Sequence, residues 1–118
     1  DRPSIIKSQR LQEKASSVGF DWDNINDVWA KLYEEIDELK IACEKGQLKS
    51  IEDEIGDCFF SLVNLARHLN ISAENSVRKT NNKFSKRFKE IEIKVSKMSK
   101  KINEMSNEEI SKLWESVK

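Results

Sequence analysis

The stretch IEDEIGDCFFSLVNLARHL, residues 51–69, decides the fold class. At about 100° per residue, Phe59, Phe60, Leu62, Val63, Leu65, Ala66 and Leu69 cover nearly the whole circumference of a helix. Glu54, Asp57, Ser61, Asn64 and His68 share one strip about 80° wide. A helix that is apolar almost all round is buried, so the strip faces an interior or a cleft. A carboxylate held there must be protonated, paired or metal-bound, because an isolated buried charge costs too much.

The rest of the 118 residues is helical in character: 37% hydrophobic, 36% charged, with 3 Gly and 1 Pro. So few turn residues argue against a sandwich or barrel and point to an all-α bundle of about five helices in a single domain, residues 1–118. The expected helices run from about Ser4 to Val18, Asn26 to Lys45, Ser50 (as N-cap, with Asp53 three residues on) to before Ile71, and onward from a Ser72 cap. In the fourth, Val77, Phe84 and Ile91 recur every seven residues. Residues 96–103 read as a loop or frayed end, and Ser106 with Glu109 forms a capping box for a short last helix. Cys43 and Cys58 fall in apolar patterns and read as reduced core residues of a cytoplasmic protein. No apolar run approaches the roughly 20 residues that span a bilayer. The opening Asp1-Arg2-Pro3-Ser4 has neither an initiator Met nor a signal sequence, as expected of a domain trimmed from a longer chain.

Two pairs of acids stand three apart on helices: Glu35 with Glu38, and Glu54 with Asp57. With Glu35 set to zero, Val28 lies near 20°, Leu39 near 40°, Leu32 near 60° and Ala42 near 340°. Glu35 therefore sits inside the apolar arc and Glu38 at its edge, whereas Glu34 and Asp37 point outward. Four carboxylates converging from two helices favour a hard cation, Mg²⁺ or Mn²⁺. The Glu-x-x-His pairs of a di-iron bundle are missing. His68, about three turns beyond Glu54, reads as a polar helix-end residue.

Charge is uneven although the net is zero. Asp21 to Asp57 holds 12 acids against 4 lysines, and Arg78 to Lys101 holds 10 bases against 2 glutamates. Lys83 and Arg87, four apart beside Phe84 and Phe88, can reach a shared anion. Trp114 and Lys118, again four apart, can stack a base and hold a phosphate, while a Trp on a short terminal helix is also a common core plug.

Assembled, these residues resemble the MazG-type nucleoside triphosphate pyrophosphohydrolases, all-α enzymes. The family signature, Glu-Glu-x-x-Glu then Glu-x-x-Asp, reads here as Glu34-Glu35-Ile36-Asp37-Glu38 and Glu54-Ile55-Gly56-Asp57, with fifteen residues between them. Gly19-Phe20-Asp21-Trp22, Val63-Asn64-Leu65-Ala66-Arg67-His68-Leu69, Asn82-Lys83-Phe84 and Arg87-Phe88 extend the likeness. The resemblance implies that Glu35, Glu38, Glu54 and Asp57 bind magnesium, and that Lys83, Arg87, Trp114 and Lys118 contact nucleotide. It further implies cleavage of a nucleoside triphosphate to monophosphate and pyrophosphate, clearance of aberrant or surplus nucleotides, and the C-terminal copy of a tandem pair. Glu34 or an incompletely engaged member of the four acids is the expected proton acceptor. An obligate homodimer is expected too, since a five-helix monomer has little to cover Phe59, Phe60, Val63 and Ala66. The rival reading is a helical interaction module whose acids meet a partner's basic helix. Nucleic-acid binding ranks third, with zero net charge and no recognised motif.

Overall fold

The computed structural model describes residues 3–118; Asp1 and Arg2, and the reading made of them, lie outside the described residues. Five α-helices follow one another: α1 (Ser4–Ser17), α2 (Ile25–Lys45), α3 (Leu48–His68), α4 (Ala73–Lys97) and α5 (Asn107–Ser116). A 3₁₀ turn, Ile102–Glu104, precedes α5, and no strand occurs among the described residues. The protein is all-α. No described helix is long and apolar enough to cross a membrane.

Local chemistry sets the boundaries. Asn24 caps α2 by accepting from the Asn26 N–H at 2.8 Å. Gly46 ends it at φ +68°, a left-handed conformation that glycine adopts without a Cβ clash. The turn is so tight that α3 restarts after Gln47, and the Ile51 N–H reaches the Gln47 carbonyl at 3.0 Å. Ser50 therefore lies inside the first turn of α3 and is not its N-cap, contrary to expectation. Ser72 does cap α4, accepting from the Asn75 N–H at 3.2 Å. The capping box before α5 closes both ways: Glu109 N–H to Ser106 Oγ and Ser106 N–H to Glu109 Oε1, each 3.1 Å.

The chain forms two compact units, one running to Ser76 and the other Val77–Lys118. In the first, α2 lies along α3 and α1 packs on α3. Val28, Leu32 and Leu65 make its core. The buried face of α2 is Val28, Leu32, Glu35 and Ala42, so Glu35 belongs to the interior face as the angular arithmetic requires. That face is narrower than expected. Cys43 and Ile36, about 80° and 100° round from Glu35, are exposed, so the reading of Cys43 as core is corrected. Cys58 is half-buried, and both thiols are free.

The expectation that α3 is buried on nearly all sides is corrected for the single chain. Only the middle of its polar strip is buried, at Ser61 and Asn64 together with Val63 and Leu65, whereas Glu54 and His68 are half-buried and Asp57 is exposed. Phe59, Phe60 and Leu62 are left 60%, 45% and 51% exposed. In the second unit Ile91, Val95, Met105 and Val117 form the core, with Ile102, Leu113 and Trp114 packed against it.

Candidate metal centre and basic cluster

The α2–α3 pairing brings the predicted acids together. Ligand oxygens of Glu34, Glu35 and Glu38 lie within 4.8 Å of one another, as do those of Glu35, Glu54 and Asp57. Glu35 belongs to both groups. Its side chain is 6% exposed, and one oxygen, Oε1, takes a 2.9 Å ion pair from Lys31 Nζ. Lys31 stands one helical turn earlier on the same helix and also lies 3.6 Å from Glu34 Oε1. This cation was missed in the sequence, although its spacing of four from Glu35 was a readable signal. The pairing in turn raises the Lys31 pKa, chiefly through the Glu35 hydrogen bond.

Lys31 satisfies only part of the cluster. Glu35 Oε2 and Glu54 Oε2 are buried without a hydrogen-bond partner. The Glu54 pKa is pushed up to about 7, first by desolvation and then by the neighbouring Glu38, Glu35 and Asp57 carboxylates. Two unsatisfied buried oxygens among several like charges fit a hard divalent cation, which would ligate oxygen and cancel the repulsion. Cys58 feels the same field, its thiol pKa raised first by burial and then by these acids. Asp37, the outward acid of the motif, is exposed.

A second polar knot lies between the α1–α2 connector and the end of α3. Asp21 Oδ1 accepts from Arg67 Nη2 at 2.8 Å and lies 2.9 Å from His68 Nε2. It also accepts from the Trp22 N–H at 2.8 Å, and Arg67 Nη2 reaches Asn64 Oδ1 at 2.7 Å. The Arg67 guanidinium, above all, holds the Asp21 carboxyl well below the usual carboxylate range. His68 is thus the helix-end polar residue expected of it. A cavity of about 400 Å³ is lined by Lys31, Glu35 and Asp57 together with Gln12, Asn64 and Arg67.

The predicted basic residues gather in the second unit. Lys83, Arg87 and Lys118 line a shared hollow together with Glu90. The Arg87 guanidinium stacks 5.5 Å from the centre of the Trp114 ring, and Phe84 packs on the same indole at 5.8 Å. Trp114 is therefore both half-buried plug and platform, its ring already occupied by side chains of its own unit. Lys118 is ion-paired to Glu115 at 2.9 Å. Lys94, exposed, donates to Ser116 Oγ at 2.8 Å.

The profile of the MazG nucleotide pyrophosphohydrolase domain matches residues 24–92, from the α2 cap to the later turns of α4. A protein of Thermotoga maritima named nucleoside triphosphate pyrophosphohydrolase/pyrophosphatase MazG is 40% identical over 116 residues, covering 98% of this chain and 44% of that protein. The Escherichia coli K12 protein named nucleoside triphosphate pyrophosphohydrolase is 36% identical over 118 residues, covering 98% of this chain and 45% of its own length. The chain thus spans less than half the length of either relative. The matched span holds every acid of the cluster, and relatives this similar run along nearly the whole sequence, so the chain belongs to the MazG nucleotide pyrophosphohydrolase domain family.

Proposed function

We propose that this domain is a Mg²⁺-dependent hydrolase that cuts nucleoside triphosphates between the α and β phosphates, releasing monophosphate and pyrophosphate. The observation that carries this reading is the pair of buried, unpartnered oxygens, Glu35 Oε2 and Glu54 Oε2, inside a cluster of acids. Glu35, Glu38, Glu54 and Asp57 are the ligands we assign, with Mn²⁺ as the natural substitute. The bound ion supplies charge neutralisation for the phosphates and an acidified water. Lys31, at the edge of the cluster, offers a cation to the triphosphate. Lys83 and Arg87 hold the polyphosphate and offset charge as the bond breaks, with Trp114 and Lys118 completing the nucleotide contacts. Glu34, the exposed acid of the cluster, is our choice for accepting the proton of the attacking water.

The domain acts as a homodimer in this reading. Ile55, Phe59 and Leu62 of α3, with Leu69 at its C-cap, form an exposed apolar band, and Trp29, Tyr33 and Ile36 another on α2. Bands of this kind on a small helical domain are what a bundle shared across a two-fold axis covers. The role we infer is cytoplasmic clearance of aberrant or surplus nucleotides, with a free nucleotide and not nucleic acid as the partner. A panel of the eight common ribo- and deoxyribonucleoside triphosphates, assayed with and without Mg²⁺, tests it. The reading expects metal-dependent release of pyrophosphate. Release of orthophosphate alone, or of nothing from any nucleotide, contradicts it and favours an interaction module.

A further inference from the structure

We propose that the hollow between the end of α4 and α5 is a docking site for a partner protein, and that the segment it takes carries one or two bulky apolar residues flanked by carboxylates. None of its residues is assigned above to metal or nucleotide, so the site stands or falls independently of the catalytic reading.

Two helix faces within the second unit build it. Lys94 and Lys97, in the last turn of α4, stand four and one residues before Met98, and all three line the hollow. On α5, Glu109, Lys112, Leu113 and Ser116 recur at spacings of three and four, so they share one side of that helix. Met105, the residue after the 3₁₀ turn, joins the lining. The space measures about 440 Å³, room for one or two large side chains. Its apolar members are graded in exposure: Met105 is buried, Leu113 half-buried and Met98 49% exposed. Methionine is unbranched and polarizable, so it repacks around an incoming side chain at little cost.

The charges around this floor are left over for a partner. Lys94 donates to the neutral hydroxyl of Ser116, which leaves its charge uncancelled. Lys97 has neither an ion pair nor a hydrogen bond among the described residues. Lys112 pairs with Glu108 at 3.6 Å, but these side chains are 78% and 81% exposed, where water screens the pair. Glu109, the one acid of the lining, is engaged by the Ser106 N–H in the capping box and lies 3.7 Å from Lys100. Three lysines thus surround an apolar floor against one occupied glutamate. Inorganic phosphate gains nothing from methionine and leucine, and a nucleobase finds no aromatic ring in the lining to stack on. An anionic membrane would meet Glu108 and Glu109 on the same helix as Lys112. A peptide with an apolar tip between carboxylates matches both the floor and the charge.

Amide NMR spectra of the chain, titrated to millimolar concentration with the synthetic peptide acetyl-Glu-Asp-Leu-Leu-Asp-Glu-amide, test it. Saturable shifts centred on Lys97, Met98, Met105 and Leu113 are expected, lost when both leucines become serine and weakened in about 0.5 M salt. Lys97→Glu and Met98→Ser, both at exposed positions, should each weaken binding by about 10-fold while circular dichroism shows the helices intact. The absence of saturable shifts overturns the proposal, as do shifts centred elsewhere or equal binding of the serine peptide. An affinity unchanged in either variant overturns it as well. Displacement of the peptide by phosphatidylglycerol vesicles would give the hollow to a membrane. Salt-sensitive self-association that Lys97→Glu abolishes would give it to a second copy of this chain, and either result contradicts a partner protein.

Discussion

Glu35 and Glu54 in the first unit and Lys83 and Arg87 in the second are both charged clusters on helices, yet their surroundings differ in kind. Glu35 is buried and Glu54 half-buried, and one oxygen of each is buried without a hydrogen-bond partner. Lys83 is exposed, and Arg87, half-buried, spreads its guanidinium on an indole. Zero net charge invites the idea that two oppositely charged halves simply attract each other. Surface attraction asks for solvated charges on both sides. Buried, mutually repelling carboxylates ask for an ion, whereas accessible cations ask for an anion that comes and goes. The proposed reading accounts for this contrast with a resident cation site in the first unit and a substrate-holding cluster in the second.

Removing one acid should break the comparison most severely. Asp57→Asn or Glu38→Gln should lower metal-dependent pyrophosphate release by on the order of 10³-fold or more, while circular dichroism shows the helices intact. Without metal the variants should melt no earlier than the parent, because a like charge has left the cluster. On the basic side, Arg87→Lys should cost roughly 30- to 1000-fold in kcat/KM. Lysine has neither the bidentate fork for phosphate nor the flat face that lies on Trp114. Indifference to this swap would leave Arg87 as packing only.

The pH dependence of the metal-free protein sharpens the contrast within the first unit. Folding raises the Glu54 pKa to about 7. Its contribution to stability is therefore fully present below the ordinary glutamate value and is lost as pH rises through 7. Asp21 runs the other way: its pKa is depressed, so its contribution is present above the usual carboxylate range and lost on strong acidification. Melting curves in chelator should show both slopes. Glu54→Gln should flatten the neutral one and leave the acid one in place. The smallest effect expected is of salt on assembly: sedimentation in 0.5–1 M salt, with a Debye length of about 3–4 Å, should leave the proposed dimer intact, since the exposed bands are apolar.

The helices and the inward acids were legible in the sequence because both follow from periodicity. Twenty-one residues of α2 give an angular position for Glu35 that no rotation of the helix can escape. The start of α3 was not legible. A serine with an acid three residues on is a local signal, and the αL turn at Gly46 overrode it by leaving only Gly46 and Gln47 between the helices. Cys43 was misread because the apolar arc of a sequence is wider than the face a neighbouring helix can cover. The Asp21–Arg67 and Gln12–Phe60 contacts join residues more than forty positions apart, and no spacing rule reaches them.

The central claim is that the orphaned oxygens of the first unit are a cation site. Melting temperature measured against Mg²⁺ concentration, starting from chelator-treated protein, tests it most directly. The account predicts a saturable rise of several degrees that Asp57→Asn abolishes, since an ion binding only the folded state stabilises it. A flat curve through millimolar Mg²⁺, or a rise that Asp57→Asn leaves unchanged, would contradict it.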